Sequence, residues 1–149
     1  MWIRRAGVVI VVLLGAWAAA PPGGAATGCS KAQIRGIVGL DRFESISAVR
    51  CYDLTGDGVR DIAYSKNGGG SGGDVQWGIV YHRGGKRRIA RFTGHTHYIN
   101  LRIRSRKVFI DSPIYHPGDP NCCPTGGTRT ESASWNGTRF VKRLVAIKH

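Results

Sequence analysis

Two short segments of this 149-residue chain hold most of the side chains whose types and spacing could do chemistry. The first is Asp53-Leu54-Thr55-Gly56-Asp57-Gly58-Val59-Arg60-Asp61. It places side-chain oxygens at relative positions 1, 3, 5 and 9, a glycine at 6 and the Val59 carbonyl at 7. Alternating oxygens of this kind converge on a hard cation, and the glycine permits the sharp turn, as in the opening part of an EF-hand calcium loop. Position 3 is Thr55, a neutral donor, and position 12, where an EF-hand has a bidentate Glu, is Tyr64. The other reading is a metal-free turn, in which the Asp side chains accept nearby backbone N–H groups and Gly58 supplies a positive φ. Three crowded carboxylates repel one another unless a cation, or a basic neighbour such as Arg60, compensates them. The spacing alone leaves both readings open.

The second segment is Asp119-Pro120-Asn121-Cys122-Cys123-Pro124, which contains two of the four cysteines; the others are Cys29 and Cys51. An even number in a small exported chain reads as two disulfides, and four cysteines allow three connectivities. Neighbouring Cα atoms lie about 3.8 Å apart, below the usual disulfide span of roughly 4.4–6.8 Å. A bridge between Cys122 and Cys123 therefore works against geometry, which argues for separate partners or for a special loop.

Both segments carry a family resemblance. Asp53 to Asp61 connects two expected strands rather than two helices, and so resembles the calcium loops of FG-GAP/VCBS-type repeats in extracellular β-propellers. That resemblance implies calcium held by Asp53, Thr55, Asp57, Asp61 and the carbonyl of Val59. One copy of the loop cannot build a propeller. Together with Asp119-Pro120-Asn121-Cys122-Cys123-Pro124-Thr125 and the later Trp135-Asn136-Gly137, it is similar to small, uncharacterised secreted proteins and lipoproteins of actinobacterial type. The likeness covers most of residues 29–145. It implies a Cys29–Cys51 bridge with a vicinal Cys122–Cys123 pair, and it brings no activity with it. A strained vicinal pair suits thiol–disulfide exchange, whereas an oxidising compartment suits a structural clip.

Catalytic signatures are sparse. The chain has no G-x-S-x-G, H-E-x-x-H or C-x-x-C. His95-Thr96-His97 would set two imidazoles on one strand face, which suits zinc or general acid–base work. A third partner is available only by type, from His82, His116 or Asp111. The alternative function is thus a small secreted hydrolase or nuclease using His97 with Asp111. Trp77, Tyr98, Tyr115 and Trp135 could line a ligand-stacking face or simply close a small β core. The leading expectation is a non-catalytic binding or structural domain.

The surrounding sequence points outside the cell. Arg4 and Arg5 precede an apolar run from Ala6 to Ala20, Pro21-Pro22-Gly23-Gly24 breaks it, and Gly24-Ala25-Ala26 suits a signal peptidase. Fifteen apolar residues are too few for a bilayer span, which takes roughly 20. Residues 1–26 therefore read as a cleaved secretion signal and 27–149 as a single secreted domain without a transmembrane segment. Removing two arginines from 22 basic residues leaves 20 against nine acids, a net charge of +11 compared with +13 for the whole chain. Such a surplus attracts polyanions. For an exported protein this means anionic cell-envelope polymers rather than a specific nucleic acid. Arg102, Arg104 and Arg106 alternate with Leu101 and Ile103, which would gather the three arginines on one solvent face.

These segments need elements to position them. Ser30-x-x-Gln33 is a capping box; Ile34, Ile37 and Val38 follow at helical spacing, and Gly39 ends the helix, so one helix is expected over 31–38. From Ile46 onward the period is two. Strands are expected at 46–52, 61–65, 75–82, 86–92, 99–104, 107–112, 128–135 and 139–147. Gly84-Gly85 and Asn136-Gly137 are expected as tight turns, the latter of type I′. Gly68 to Gly73 is a flexible loop or the tip of a wide hairpin. The fold class is α+β, mainly β: one N-terminal helix packed on an antiparallel sheet of about eight strands, similar to a propeller blade.

Overall fold

The computed structural model describes residues 29–94 and 97–149, so the expected secretion signal over 1–26 lies outside the described residues. Among the described residues the one α-helix, α1 (Lys31–Val38), begins where the Ser30 hydroxyl accepts the Gln33 N–H at 3.2 Å and ends at Gly39, whose φ is +67°. Only half of the capping box forms. The Gln33 Oε1, which would return to the Ser30 N–H, is buried without a partner.

Eight strands follow: β1 (Ser45–Tyr52), β2 (Asp61–Asn67), β3 (Asp74–Arg83), β4 (Lys86–Phe92), β5 (Asn100–Arg104), β6 (Lys107–Pro113), β7 (Thr128–Trp135) and β8 (Phe140–Lys148). The fold is mainly β with one helix, as the periodicity predicts. The strands divide into two four-stranded antiparallel meanders, β1-β2-β3-β4 and β5-β6-β7-β8.

Side-chain alternation explains why two sheets are needed. In β3, Trp77, Ile79 and Tyr81 pack with Leu101, Val108, Ile110, Ala133 and Phe140 of the second sheet. The intervening Val80 packs with Ile62, Tyr64 and Ile34 of α1. The first sheet is thus the middle of three layers, apolar on both faces, whereas the second buries one face only. A sheet covered on both sides needs a continuous apolar run, and Gly78-Ile79-Val80-Tyr81 supplies it.

The crossing between sheets is fixed by polar groups. Asp74, at the start of β3, is buried and accepts the Ile99 N–H at 3.0 Å just before β5 begins. Its other oxygen accepts the Ser47 hydroxyl, which also meets Ser65 Oγ at 2.6 Å. Ser47 lies at the bulge between Ile46 and Ala48. An irregularity in β1 thereby supplies the donor that a buried carboxylate requires.

The turns follow their chemistry with two exceptions. Gly84 and Gly85 take φ of +57° and +71°, as a primed hairpin demands. At the β7–β8 turn only Gly137 has a positive φ; the Asn136 side chain instead accepts N–H groups from Thr138 and Arg139 at 3.0 and 2.9 Å, so this hairpin is longer than the expected type I′. A non-glycine pair with both φ positive is instead Ser105 and Arg106, at +48° and +58°. That turn corrects the arginine stripe: β5 ends at Arg104, and Arg106 leaves its face. Gly68 to Gly73 is the tip of the β2–β3 hairpin, closed by Gly68 N–H to Gly73 O at 3.1 Å around a 3-10 turn at Gly70–Gly72.

Candidate functional sites

The acidic loop is built around its first and last aspartates. Asp53 Oδ1 accepts the N–H groups of Gly56 and Asp57 at 2.6 and 3.1 Å, and Oδ2 accepts that of Gly58 at 3.2 Å. Asp57 Oδ1 accepts the Val59 N–H at 2.8 Å. Asp61 is fully buried, and its Oδ2 accepts the N–H groups of Leu54 and Thr55, both at 2.9 Å. Burial pushes the Asp61 carboxyl above its usual range, against the lowering effect of the two N–H donors. Leu54, between these donors, is anchored in the core between the sheets.

Asp61 Oδ1 and Thr55 Oγ1 are both buried without a well-formed hydrogen bond, although the Thr55 hydroxyl lies near enough to the Asp61 carboxylate to favour its charged form. Among the described residues, no three His, Cys, Asp or Glu side chains are grouped to hold a metal. The compensating cation is Arg106 rather than Arg60. Its guanidinium reaches across from the β5–β6 turn to 3.8 Å from Asp53 Oδ2, and a side chain at Gly56 would meet its Nη1 at 3.0 Å. Sequence spacing cannot show this pair, because 53 positions separate its members and the turn that aims Arg106 has neither Asn nor Gly.

The cysteine segment is a second organised loop. Cys29 is bridged to Cys51, with Cα atoms 5.9 Å apart, and Cys122 to Cys123, 3.8 Å apart. Asp119 accepts the N–H groups of His116 and Thr125, each at 2.8 Å, and the Thr125 hydroxyl at 2.9 Å. Those donors hold its carboxyl below the usual range. Tyr115 Oη donates to the Asn121 carbonyl at 2.8 Å, and Asn121 Nδ2 to Ser71 Oγ at 3.2 Å, so the loop leans on the glycine-rich hairpin tip.

No family model, curated protein or solved structure matches the chain.

The histidine and aspartate set is dispersed. Asp111 is held by Arg102 through two bonds of 2.7 and 2.8 Å and by the Thr130 hydroxyl at 2.8 Å. The His97 ring lies 5.4 Å from that of Tyr115, and His95 lies outside the described residues. The four aromatics likewise separate. Trp77 is buried against Phe92, Trp135 is half-buried against Tyr81 and Phe140, and Tyr98 and Tyr115 belong to loops.

The strongest concentration of positive charge is one the periodicity did not single out. Arg83-Gly84-Gly85-Lys86-Arg87-Arg88 turns from β3 into β4, and its four cations are exposed. Arg83 donates to the Thr138 carbonyl at 2.8 Å. Among the described residues, no carboxylate pairs with Lys86, Arg87 or Arg88. The register places Arg83 opposite Lys86 and Tyr81 opposite Arg88, so these four border one open groove of about 620 Å³. The signal was present in the sequence: a double-glycine turn makes near neighbours of charges on both of its arms.

Proposed function

We propose that the chain is a non-catalytic binding domain of the cell exterior that holds anionic envelope polymers through its basic surface. The observation supporting this reading is the β3–β4 hairpin, where Lys86, Arg87 and Arg88 are exposed and without carboxylate partners among the described residues. Arg102, by contrast, is already neutralised by Asp111. Cations set together on a rigid two-stranded turn raise the local potential above what net charge alone provides. Binding of this kind weakens steeply as salt rises, because neutralised polymer charges release their counterions.

The test is elution from an immobilised polyphosphate or polyuronate column. Changing Lys86, Arg87 and Arg88 together to Ser should lower the elution salt clearly more than changing exposed Lys31, Arg35 and Arg42 to Ser. Equal shifts would mean that net charge alone governs retention.

A second reading concerns stability. Calcium at the 53–61 loop is favoured by Thr55 Oγ1 and Asp61 Oδ1, two buried oxygens that make no well-formed hydrogen bond. Asp53, Asp57 and the Val59 carbonyl would complete the set. With a neutral Thr and no Glu at position 12, affinity on the order of 10⁻⁴–10⁻³ M is expected, as in extracellular modules. Millimolar calcium should then raise the Tm of the wild type and not that of Asp57→Ala. An equal response in both would leave the metal-free turn.

A further inference from the structure

Between α1 and the outer face of the first sheet, beside the acidic loop, lies a recess of about 260 Å³. Its walls are mixed, and the apolar part is formed by Ile37 of the helix, Ile62 of β2, Val80 of β3 and the Cys51 end of the disulfide. Two polar atoms among its lining residues, Gln33 Oε1 and His82 Nδ1, are buried and without any hydrogen-bond partner. Buried polar atoms are nearly always paired, and an unpaired one calls for an explanation. Gln33 is especially informative, since its position in the capping box offered it a partner that it does not take. Arg60 and Arg87 border the same recess, from the loop and from β4, and both are exposed.

We propose that this recess binds a small carboxylate joined to an amide N–H and a short aliphatic group, the chemistry of an N-acyl amino acid or a peptide C-terminus. The two guanidiniums match a carboxylate, for which Arg forms paired, charge-assisted bonds. Gln33 Oε1 lacks a donor, and a rotation of its side chain towards the recess would bring it to the ligand's amide N–H. With Nδ1 protonated, a similar adjustment of His82 would let it donate to the acyl carbonyl, while the aliphatic group lies against Ile37, Ile62 and Val80. At about 260 Å³ the recess is many times larger than a single water requires, which leaves room for a small organic acid such as N-acetylalanine. The recess shares Arg87 with the polymer-binding hairpin but not Gln33, so a Gln33 variant alters the recess alone and without changing net charge.

The test is an NMR titration of the isotope-labelled exported protein with N-acetylalanine, N-acetylalaninamide and a glycine-rich peptide ending in a free alanine carboxylate. The acid should shift the amides of Gln33, Ile37, Ile62 and Val80, with a Kd on the order of 1 mM or tighter. Gln33→Leu and Arg87→Gln should each weaken it about ten-fold or more, and Gln33→Leu should leave polymer elution unchanged. If the acid and the peptide both bind, a free small acid suffices; if only the peptide does, the ligand is a chain terminus. Equal binding of acid and amide, no shifts in the recess up to about 10 mM, or indifference to both variants would overturn the proposal.

Discussion

Arg102 and Asp111 form a two-point ion pair across β5 and β6, with N–O distances of 2.7 and 2.8 Å. The pair removes Asp111 as a free base for His97 and Arg102 as a free cation for a polymer. The Arg102 side chain is 48 % exposed, so water screens the pair and its worth is about 1 kcal/mol or less. Asp111→Asn should therefore change the urea midpoint little while raising the salt needed to elute the protein from an anionic column. A large loss of stability would show that the pair organises the second sheet.

Tyr64 and Gly78 face one another across β2 and β3, and the tyrosine ring occupies the space above the glycine. A Cβ at 78 would lie 2.6 Å from the Ala90 carbonyl and 2.7 Å from Tyr64 Oη. Both neighbours sit in strands and cannot retreat. Gly78→Ala should cost about 1–3 kcal/mol, as overpacked cores do. The companion Gly36→Ala, which meets nothing within 4 Å on α1, should be neutral or slightly stabilising. Similar denaturation midpoints for the two would contradict the close approach.

How far the sequence could be read depended on whether the deciding interaction was local. The helix was legible because Ser30, Ile34 and Gly39 act within ten positions, and the strands because their period of two needs no partner. The division into two sheets was less visible, since it depends on Asp74 meeting Ile99 and on β3 being covered on both faces. Arg106 was misplaced because a strand pattern ran on through a turn lacking Asn or Gly. Acid and oxygen spacing marked the 53–61 loop, but only three dimensions show that Asp53 serves the backbone and that Arg106 lies beside it. The Gln33 recess left no trace in the sequence, where the same residue reads as half of a capping box.

Two aspartates should respond to acid with opposite sign. Asp119 has its carboxyl held low by the Thr125 and His116 N–H groups, so its contribution to stability is present above the ordinary Asp value of about 3.9 and is lost as pH falls through its folded value. Burial raises Asp61, so its contribution is greatest below that ordinary value and is lost as pH rises through its own folded value. Carboxyl-carbon NMR should show Asp61 protonating before Asp119 as the solution is acidified. Amide exchange over residues 116–125 should quicken only at the lower transition. The reverse order would mean that the hydrogen bonds to Asp119 do not persist in solution.

The two disulfides should differ sharply in what their removal does. Cys29–Cys51 closes a segment of 22 residues and fastens the start of α1 to β1, whereas Cys122–Cys123 closes a segment of one. A cross-link stabilises chiefly by restricting the unfolded chain, and the effect grows with the length of the closed loop, reaching about 3 kcal/mol near 15–20 residues. Replacing Cys29 and Cys51 by Ser should therefore cost about 3 kcal/mol. Hydrogen exchange should quicken first in α1, because the helix adds only one fully buried side chain, Ile34, to its own anchorage. The core between the sheets, around Trp77 and Ile110, contains neither cysteine and should keep its protection until global unfolding. Replacing Cys122 and Cys123 by Ser should move the urea midpoint far less and confine its effects to the 114–127 loop. Equal losses from the two double variants would show that the vicinal pair supports more of the fold than its loop.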